Sequence, residues 1–415
     1  MGRFLFVVPP LVGHVNPAVS TAAVLAARGH DIAWAGHPEL VRSLAGAGAV
    51  VHPCALPGDV PSRPGGLKGP AAFRFLWESF LVPLADAMAP GVRSAIAAYD
   101  PDVVVCDQQA VAGALVAESL GRTWVTSATT SAELVDPLAA MPKVGAWLDE
   151  LLAGLRARIG AAGGADPRFS PYGVLAYTTR ALLGPVELPN RVWLVGPSVA
   201  ARPVAADADF PWEWLDASAL PTVLVSLGTA NNDAGARFLN AAAQALGAMA
   251  GRVRAVLVDP GGLVGGRLPD HLLVRPHVPQ LALLERLDAV VCHAGHNTVC
   301  EALWHGVPLV VAPIRDDQPI VAGQVVDAGA GVRLRFGHAD AARIGAAVEA
   351  VLDPARGHRE AAEAVGESFR AAGGGESAAD RLEELAAGAA ASAGVGGADR
   401  VTGTSGYTGG EVRVP

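Results

Sequence analysis

The run Cys292-His293-Ala294-Gly295-His296-Asn297-Thr298-Val299-Cys300-Glu301-Ala302-Leu303 gathers polar side chains where an apolar strand, Ala289 to Val291, gives way to a helix. A helix start carries unpaired N–H groups and the positive end of the peptide dipole, so an oxygen-rich dianion such as a diphosphate suits it. The dipole contributes only about 0.3–1 kcal/mol per charge at an exposed site. His293 and a capping side chain must therefore supply much of the grip, and Asn297 or Thr298 is the expected cap of a helix through Leu303. Gly295 is expected to let the backbone approach the ligand. Cys292, His293, His296 and Cys300 also raise a zinc site, but no C-x₂₋₄-C knuckle is present and the apolar strand would bury Cys292. Asp316 and Asp317 are adjacent, and adjacent carboxylates rarely converge on one metal ion.

The elements that must position these groups fall into two similar halves. Arg3 to Val8 reads as a buried strand, Pro9 to Pro17 as a loop, Ala18 to Arg28 as a helix and Ile32 to Ala35 as the next strand, a βαβ unit of the doubly wound kind. Pro101 to Asp107 is a further strand with polar residues at its carboxyl end, where ligands of parallel sheets gather. The pattern restarts at Thr222 to Thr229, an apolar strand running into a Gly loop, and continues with strands near 253–258, 272–275 and 309–312. The expected organisation is an α/β fold of two Rossmann-like domains facing across a cleft. It comprises 1–204, a linker at 205–219, 220–372, a helix at 373–386 returning to the first domain, and a tail without structure at 387–415. Neither GxxxxGK[ST] nor GxGxxG with an acidic ribose ligand occurs, which lowers ATPase and dinucleotide dehydrogenase readings.

Composition agrees. A chain of 415 residues, 51% hydrophobic, can bury two cores. A net charge of −9 leaves no basic footprint for nucleic acid. Apolar runs are interrupted by Gly, Pro or charge short of the roughly 18 residues that span a membrane, and Met1-Gly2-Arg3 leads straight into a strand, so a cytoplasmic protein is expected. Four cysteines without a CxxC pair point to buried thiols, not disulfides.

Together, His277-Val278-Pro279-Gln280, His293 to Thr298, Glu301-Ala302-Leu303, Gly306-Val307-Pro308 and Asp317-Gln318 resemble, in order and spacing, the donor signature of B-fold (GT-B) nucleotide-sugar glycosyltransferases. Antibiotic and macrolide glycosyltransferases of actinomycetes are the nearest likeness, and it extends to about Leu385. The resemblance implies that His293 and the amides around Gly295, Asn297 and Thr298 bind the diphosphate, that Glu301 accepts from ribose hydroxyls, and that Asp317 and Gln318 hold the sugar. It further implies that Gln280 and Val278 flank the nucleoside while Ser226, Gly228 and Thr229 lie beneath the phosphates. His277 stands where relatives often place a Trp that stacks on the base, so UDP- and TDP-sugars both remain open as donors. Phe73, Trp77, Phe80, Met88 and Trp147 fall where the family builds its acceptor pocket, although core packing accounts for any one of them equally well.

Sugar transfer to a hydroxyl needs a base, and imidazole has the appropriate pKa. His14, in a Gly-His-x-x-Pro setting, matches the family's catalytic histidine, and Asp107 would hold its second nitrogen. The expected reaction is a single displacement with inversion at the anomeric carbon. It needs no cofactor beyond the nucleotide sugar and no metal. The partners are that donor and a hydrophobic small-molecule acceptor, and a homodimer is compatible with the sequence. Two rival readings are a nucleotide-sugar epimerase of related fold, which would need no acceptor pocket, and a non-catalytic partner that binds nucleotide sugar or aglycone.

Overall fold

The computed structural model describes residues 1–58, 64, 67, 69–164, 166–188, 191–199, 209–228 and 235–398, with side chains through 388. Strands β1 (Arg3–Val7), β2 (Asp31–Gly36), β3 (Val51–Pro53), β4 (Val103–Asp107), β5 (Trp124–Ala128), β6 (Val174–Ala176) and β7 (Val192–Leu194) form one sheet in the order β3-β2-β1-β4-β5-β6-β7. Strands β8 (Thr222–Ser226), β9 (Arg254–Val258), β10 (Leu272–Arg275), β11 (Ala289–Cys292), β12 (Leu309–Val311) and β13 (Gly331–Arg333) form the other, ordered β10-β9-β8-β11-β12-β13. All described pairings are parallel.

Parallel strands covered on both faces must be apolar along their whole length, and β1 shows why. Leu5 and Val7 point into a core with Leu84, Val104 and Leu115, while Phe4 and Phe6 point into the opposite core with Val19, Leu25 and Val103. In the second sheet Val223 and Val225 pack against Phe238, Leu246 and Val348, and Leu224 packs on the other side with Val256, Val290 and Phe369. Each sheet has one place where the strand order reverses, between β1 and β4 and between β8 and β11. A crevice opens there at the carboxyl ends of the strands. His14 follows β1, Asp107 ends β4, Ser226 ends β8 and His293 follows β11, so the topology alone brings the candidate residues to the two crevices.

Several expectations change. The first helix spans Val12–Ala27, so the segment expected as a loop to Pro17 is already helical and His14 lies in the helix's first turn. Pro17 cannot donate to the carbonyl four residues back, which normally disfavours such a helix. Here Asn297 Nδ2, from the other domain, donates to Gly13 O at 2.8 Å and supplies the missing bond.

The stretch Gly69–Tyr99 is helical throughout, and by length and composition it is long enough and apolar enough to cross a membrane. The expected interruptions by Gly, Pro and charge are present in this stretch, but they do not end the helix: Pro83 follows a π-helical turn at Trp77–Leu81, and the helix continues through Pro90 and Gly91. Leu81, Leu84, Met88, Val92 and Ile96 on this stretch sit in the first domain's core.

Of the expected linker, 205–208 lies outside the described residues. Phe210 and Leu215 are buried in the second domain's core, and Trp212–Asp216 is a short helix. The terminal helix runs Gly375–Ala398, so 387–398 is helical rather than unstructured. Alanine-rich sequence extends a helix readily once its first turns are anchored. That anchor is Ala378, Ala379 and Leu382 in the core beside β1, together with Arg28 reaching Glu376, Asp380 and Glu383 at 2.5–2.9 Å. Residues 399–415 are outside the described set.

Candidate active site

On the first domain's side, His14 Nδ1 stands 3.0 Å from both carboxylate oxygens of Asp107. Asp107 has a wholly buried side chain that also accepts from Gln109 N at 2.8 Å and from Thr129 Oγ1 at 2.9 Å. Thr129 Oγ1 is 2.8 Å from His14 Nδ1 as well. An acceptor-only carboxylate facing Nδ1 fixes the proton there and leaves Nε2 with its lone pair. Burial depresses the pKa of His14, but the charge of Asp107, its hydrogen bond and the charge of Asp317 outweigh that and raise it above 6.5.

Thr129, Thr130 and Ser131 join this site although no motif above includes them. The signal was available: a Thr-Thr-Ser triplet directly follows β5 at its carboxyl end.

On the second domain's side, the helix is His296–Trp304, with Gly295 at its N-cap and no side-chain cap. Asn297 and Thr298 are therefore first-turn residues, contrary to the expected capping role, because Asn297's side chain is engaged by Gly13 O across the cleft. The first-turn amides remain without helical acceptors. Ala294 takes a left-handed φ of 65° at the bend. His293 is held between two glycines: a Cβ on Gly228 would come within 2.7 Å of its Cε1, and one on Gly295 would overlap its Nε2. Gly295 thus makes room for the His293 ring, where the sequence had suggested room for a ligand. Burial lowers the His293 pKa to about 4, so the ring is neutral, and its Nδ1 is buried without a partner among the described residues.

Ser226 ends β8, and its Oγ accepts from Gly228 N at 3.4 Å. Thr229 lies outside the described residues. Gln280 Nε2 donates to Glu301 Oε2 at 2.6 Å, so these two residues meet. Glu301 is buried and borders a small cavity with Pro17, Tyr177, Ser198 and Asn297. Val278 is half-buried beside this domain's core, and His277 is exposed. Gln318 departs from its expected role in part: its Oε1 accepts from Ile314 N and Arg315 N at 2.9 and 3.1 Å, so it shapes the loop that presents Asp317.

The two sides touch. Thr130 Oγ1 donates to Asp317 Oδ2 at 2.7 Å; burial raises the Asp317 pKa, that bond opposes the rise, Asp316 adds to it and His14 opposes it. Ser131 Oγ donates to Gln324 Oε1 at 2.5 Å and lies 3.3 Å from His296 Nδ1. His296 Nε2 donates to Tyr177 O at 3.2 Å, and burial lowers its pKa to about 4. His296 therefore serves the domain seam. Cys300 lies against His296 and the same carbonyl, and all four cysteines are free, buried thiols.

Of the aromatic set, Trp77 and Met88 are core residues, 2% and 1% exposed, so they pack the domain rather than line an open pocket. Phe73, Phe80 and Trp147 lie half-buried over that core, with Phe73 6.3 Å from Trp77 and 6.2 Å from Trp147.

Two Rossmann-like parallel-sheet domains meeting at their switch-point crevices are the GT-B architecture. A family model described as "Erythromycin biosynthesis protein CIII-like, C-terminal domain" matches residues 245–385. The demethyllactenocin mycarosyltransferase of Streptomyces fradiae is 30% identical, the match covering 93% of this chain and 87% of the relative. An uncharacterized UDP-glucosyltransferase of Bacillus subtilis is 33% identical over 47% of each chain. The solved structure of the glycotransferase of kitacinnamycin is 28% identical, with a TM-score of 0.72 over 92% of this chain and 98% of that one. The chain belongs to this family of antibiotic-pathway glycosyltransferases.

Proposed function

We propose that the chain transfers a sugar from a UDP- or TDP-sugar to a hydroxyl of a hydrophobic small-molecule natural product, with inversion at the anomeric carbon and His14 as general base. The first domain takes the acceptor and the second the donor. The observation that carries this reading is the His14 Nδ1 contact with both oxygens of buried Asp107 at 3.0 Å. It leaves Nε2 as the basic atom and stabilises the imidazolium that forms.

In the reaction, the acceptor O–H proton passes to His14 Nε2 while the acceptor oxygen bonds to the anomeric carbon. The bond from that carbon to the diphosphate breaks, and the electron pair leaves with the nucleoside diphosphate. The first-turn amides of the helix His296–Trp304, with neutral His293 beside them, offset the charge that develops on the leaving group. Asp317 and Gln318 are assigned to hydroxyls of the sugar, and Glu301, which accepts from Gln280, to hydroxyls of the ribose. Phe73, Phe80 and Trp147 offer the apolar surface an aglycone would need.

His14→Ala tests the assignment. Turnover should fall about 10²- to 10⁴-fold with nucleoside diphosphate affinity near normal, and unchanged turnover would remove His14 from the chemistry. The anomeric configuration of the product, read by NMR coupling constants, tests inversion. Epimerised sugar formed without any acceptor would replace transfer with the epimerase reading.

A further inference from the structure

A buried hydroxyl touches both members of the His14–Asp107 pair. Thr129 is the first residue past β5, which lies beside β4, and it is 3% exposed. Its Oγ1 stands 2.8 Å from His14 Nδ1 and 2.9 Å from Asp107 Oδ2. Methyl and hydroxyl share one Cβ, which restricts χ1 and with it the direction of the hydroxyl. The next two residues reach across the cleft, Thr130 to Asp317 and Ser131 to Gln324, so the segment is held from both domains.

The single proton on Thr129 Oγ1 can be placed by elimination. An ionised carboxylate only accepts, and if the hydroxyl turned away, lone pairs would oppose one another across the 2.9 Å between Oγ1 and Asp107 Oδ2. The proton therefore lies toward Oδ2, and the lone pairs of Oγ1 face Nδ1–H. Each oxygen of Asp107 then has a donor of its own besides the imidazole, Gln109 N at 2.8 Å on Oδ1 and Thr129 Oγ1 at 2.9 Å on Oδ2. A carboxylate turns about its last bond with little resistance, and two fixed donors stop that turn. The equal spacing of 3.0 Å from Nδ1 to both oxygens is the result. Among the described residues only Asp107 and Thr129 bond to Nδ1. The other ionisable groups around the pair are Asp317, whose charge also acts on His14, and Cys106 and Tyr177, which burial holds protonated.

We infer that Thr129 is a positioning residue for the proton transfer: it fixes the Asp107 carboxylate, enforces the Nδ1–H tautomer and meets the imidazolium with the negative end of its O–H dipole. That role rests on His14 being the base. When Nε2 takes the acceptor's proton, positive charge spreads to Nδ1–H, and an oxygen already in place at 2.8 Å stabilises it without rearrangement. Loss of that oxygen disfavours the charged ring more than the neutral one, so His14 becomes less basic.

Thr129→Val keeps the shape of the side chain and removes the hydroxyl, while Thr129→Ser keeps the hydroxyl and removes the methyl. NMR of the full chain carrying ¹⁵N-labelled histidine, with the His14 signals identified by their loss in His14→Gln, reads tautomer and pKa without any substrate. The neutral ring of wild type should carry its proton on Nδ1, a measurement that needs no variant to fold. T129V should lower the His14 pKa by about 0.5–1 unit, the scale of one hydrogen bond, and T129S should restore it. With the donor and acceptor that wild type turns over, T129V should lower kcat about tenfold at unchanged KM, and T129S should recover it. A side chain that served packing alone would alter stability and leave tautomer and pKa in place. A neutral wild-type ring protonated on Nε2, or a His14 pKa unaltered in T129V, overturns the role of Thr129. Transfer that survives His14→Ala would instead sink the base reading, whatever the NMR titration shows.

Discussion

Acidification should destabilise this protein through two histidines buried as neutral rings, and the size of the effect follows from their environments. His293 and His296 are 8% and 5% exposed, and burial lowers each from 6.5 to about 4. The unfolded chain takes up protons near pH 6.5 while the folded one resists until about 4, so stability is intact above 6.5 and is lost as pH falls through that window. The fall from 6.5 to about 4 corresponds to about 3 kcal/mol per ring when complete, and to about 2 kcal/mol per ring at about pH 5. His14 acts in the opposite sense: its raised pKa adds stability at low pH that disappears as pH climbs through the folded value. His296→Gln isolates one contribution, since Gln can still donate to Tyr177 O but does not titrate. Urea unfolding followed by tryptophan fluorescence, at about pH 7.5 and pH 5, should show the variant losing about 2 kcal/mol less than wild type. Other titrating groups cancel in that difference. Equal losses in the two proteins would refute the claim that His296 is held neutral at the domain seam.

Other outcomes follow from the same contacts. With His14 as the proposed base, the acid limb of kcat/KM should have its midpoint above 6.5, because a base works only when deprotonated and His14's pKa is raised; Asp317→Asn removes one charge that raises it and should move the limb to lower pH in a pH–rate profile. Asn297→Ala removes the donor to Gly13 O and should cost about 0.5–1.5 kcal/mol in a denaturant titration. Gly295→Ala drives a methyl into the His293 ring and should cost about 1–3 kcal/mol, with weaker nucleoside diphosphate binding by calorimetry.

The strands were legible because a doubly covered parallel strand leaves no freedom in its composition: β1, β4, β8 and β11 each appear as unbroken apolar runs, and their reversal in order puts His14, Asp107, Ser226 and His293 at two crevices. The meeting of His14 with Asp107 could be read for that reason, as two strand ends of one sheet. What the sequence concealed were roles decided by partners far away. Thr129 is 115 residues from the imidazole it touches, and Gln318 carries a second task that its place beside Asp317 does not reveal, its Oε1 accepting from Ile314 N and Arg315 N. Asn297 is the sharpest case. Its position one residue into a helix suggests a cap for that helix, yet it supplies the bond that Pro17 cannot give to Gly13, 284 residues away. The turn carrying His14 is therefore completed by a residue from the first turn of the helix His296–Trp304, whose amides are proposed to face the diphosphate. Bringing the domains together and finishing the helix that holds the imidazole are one event in this fold, and no local pattern in either segment could have encoded it.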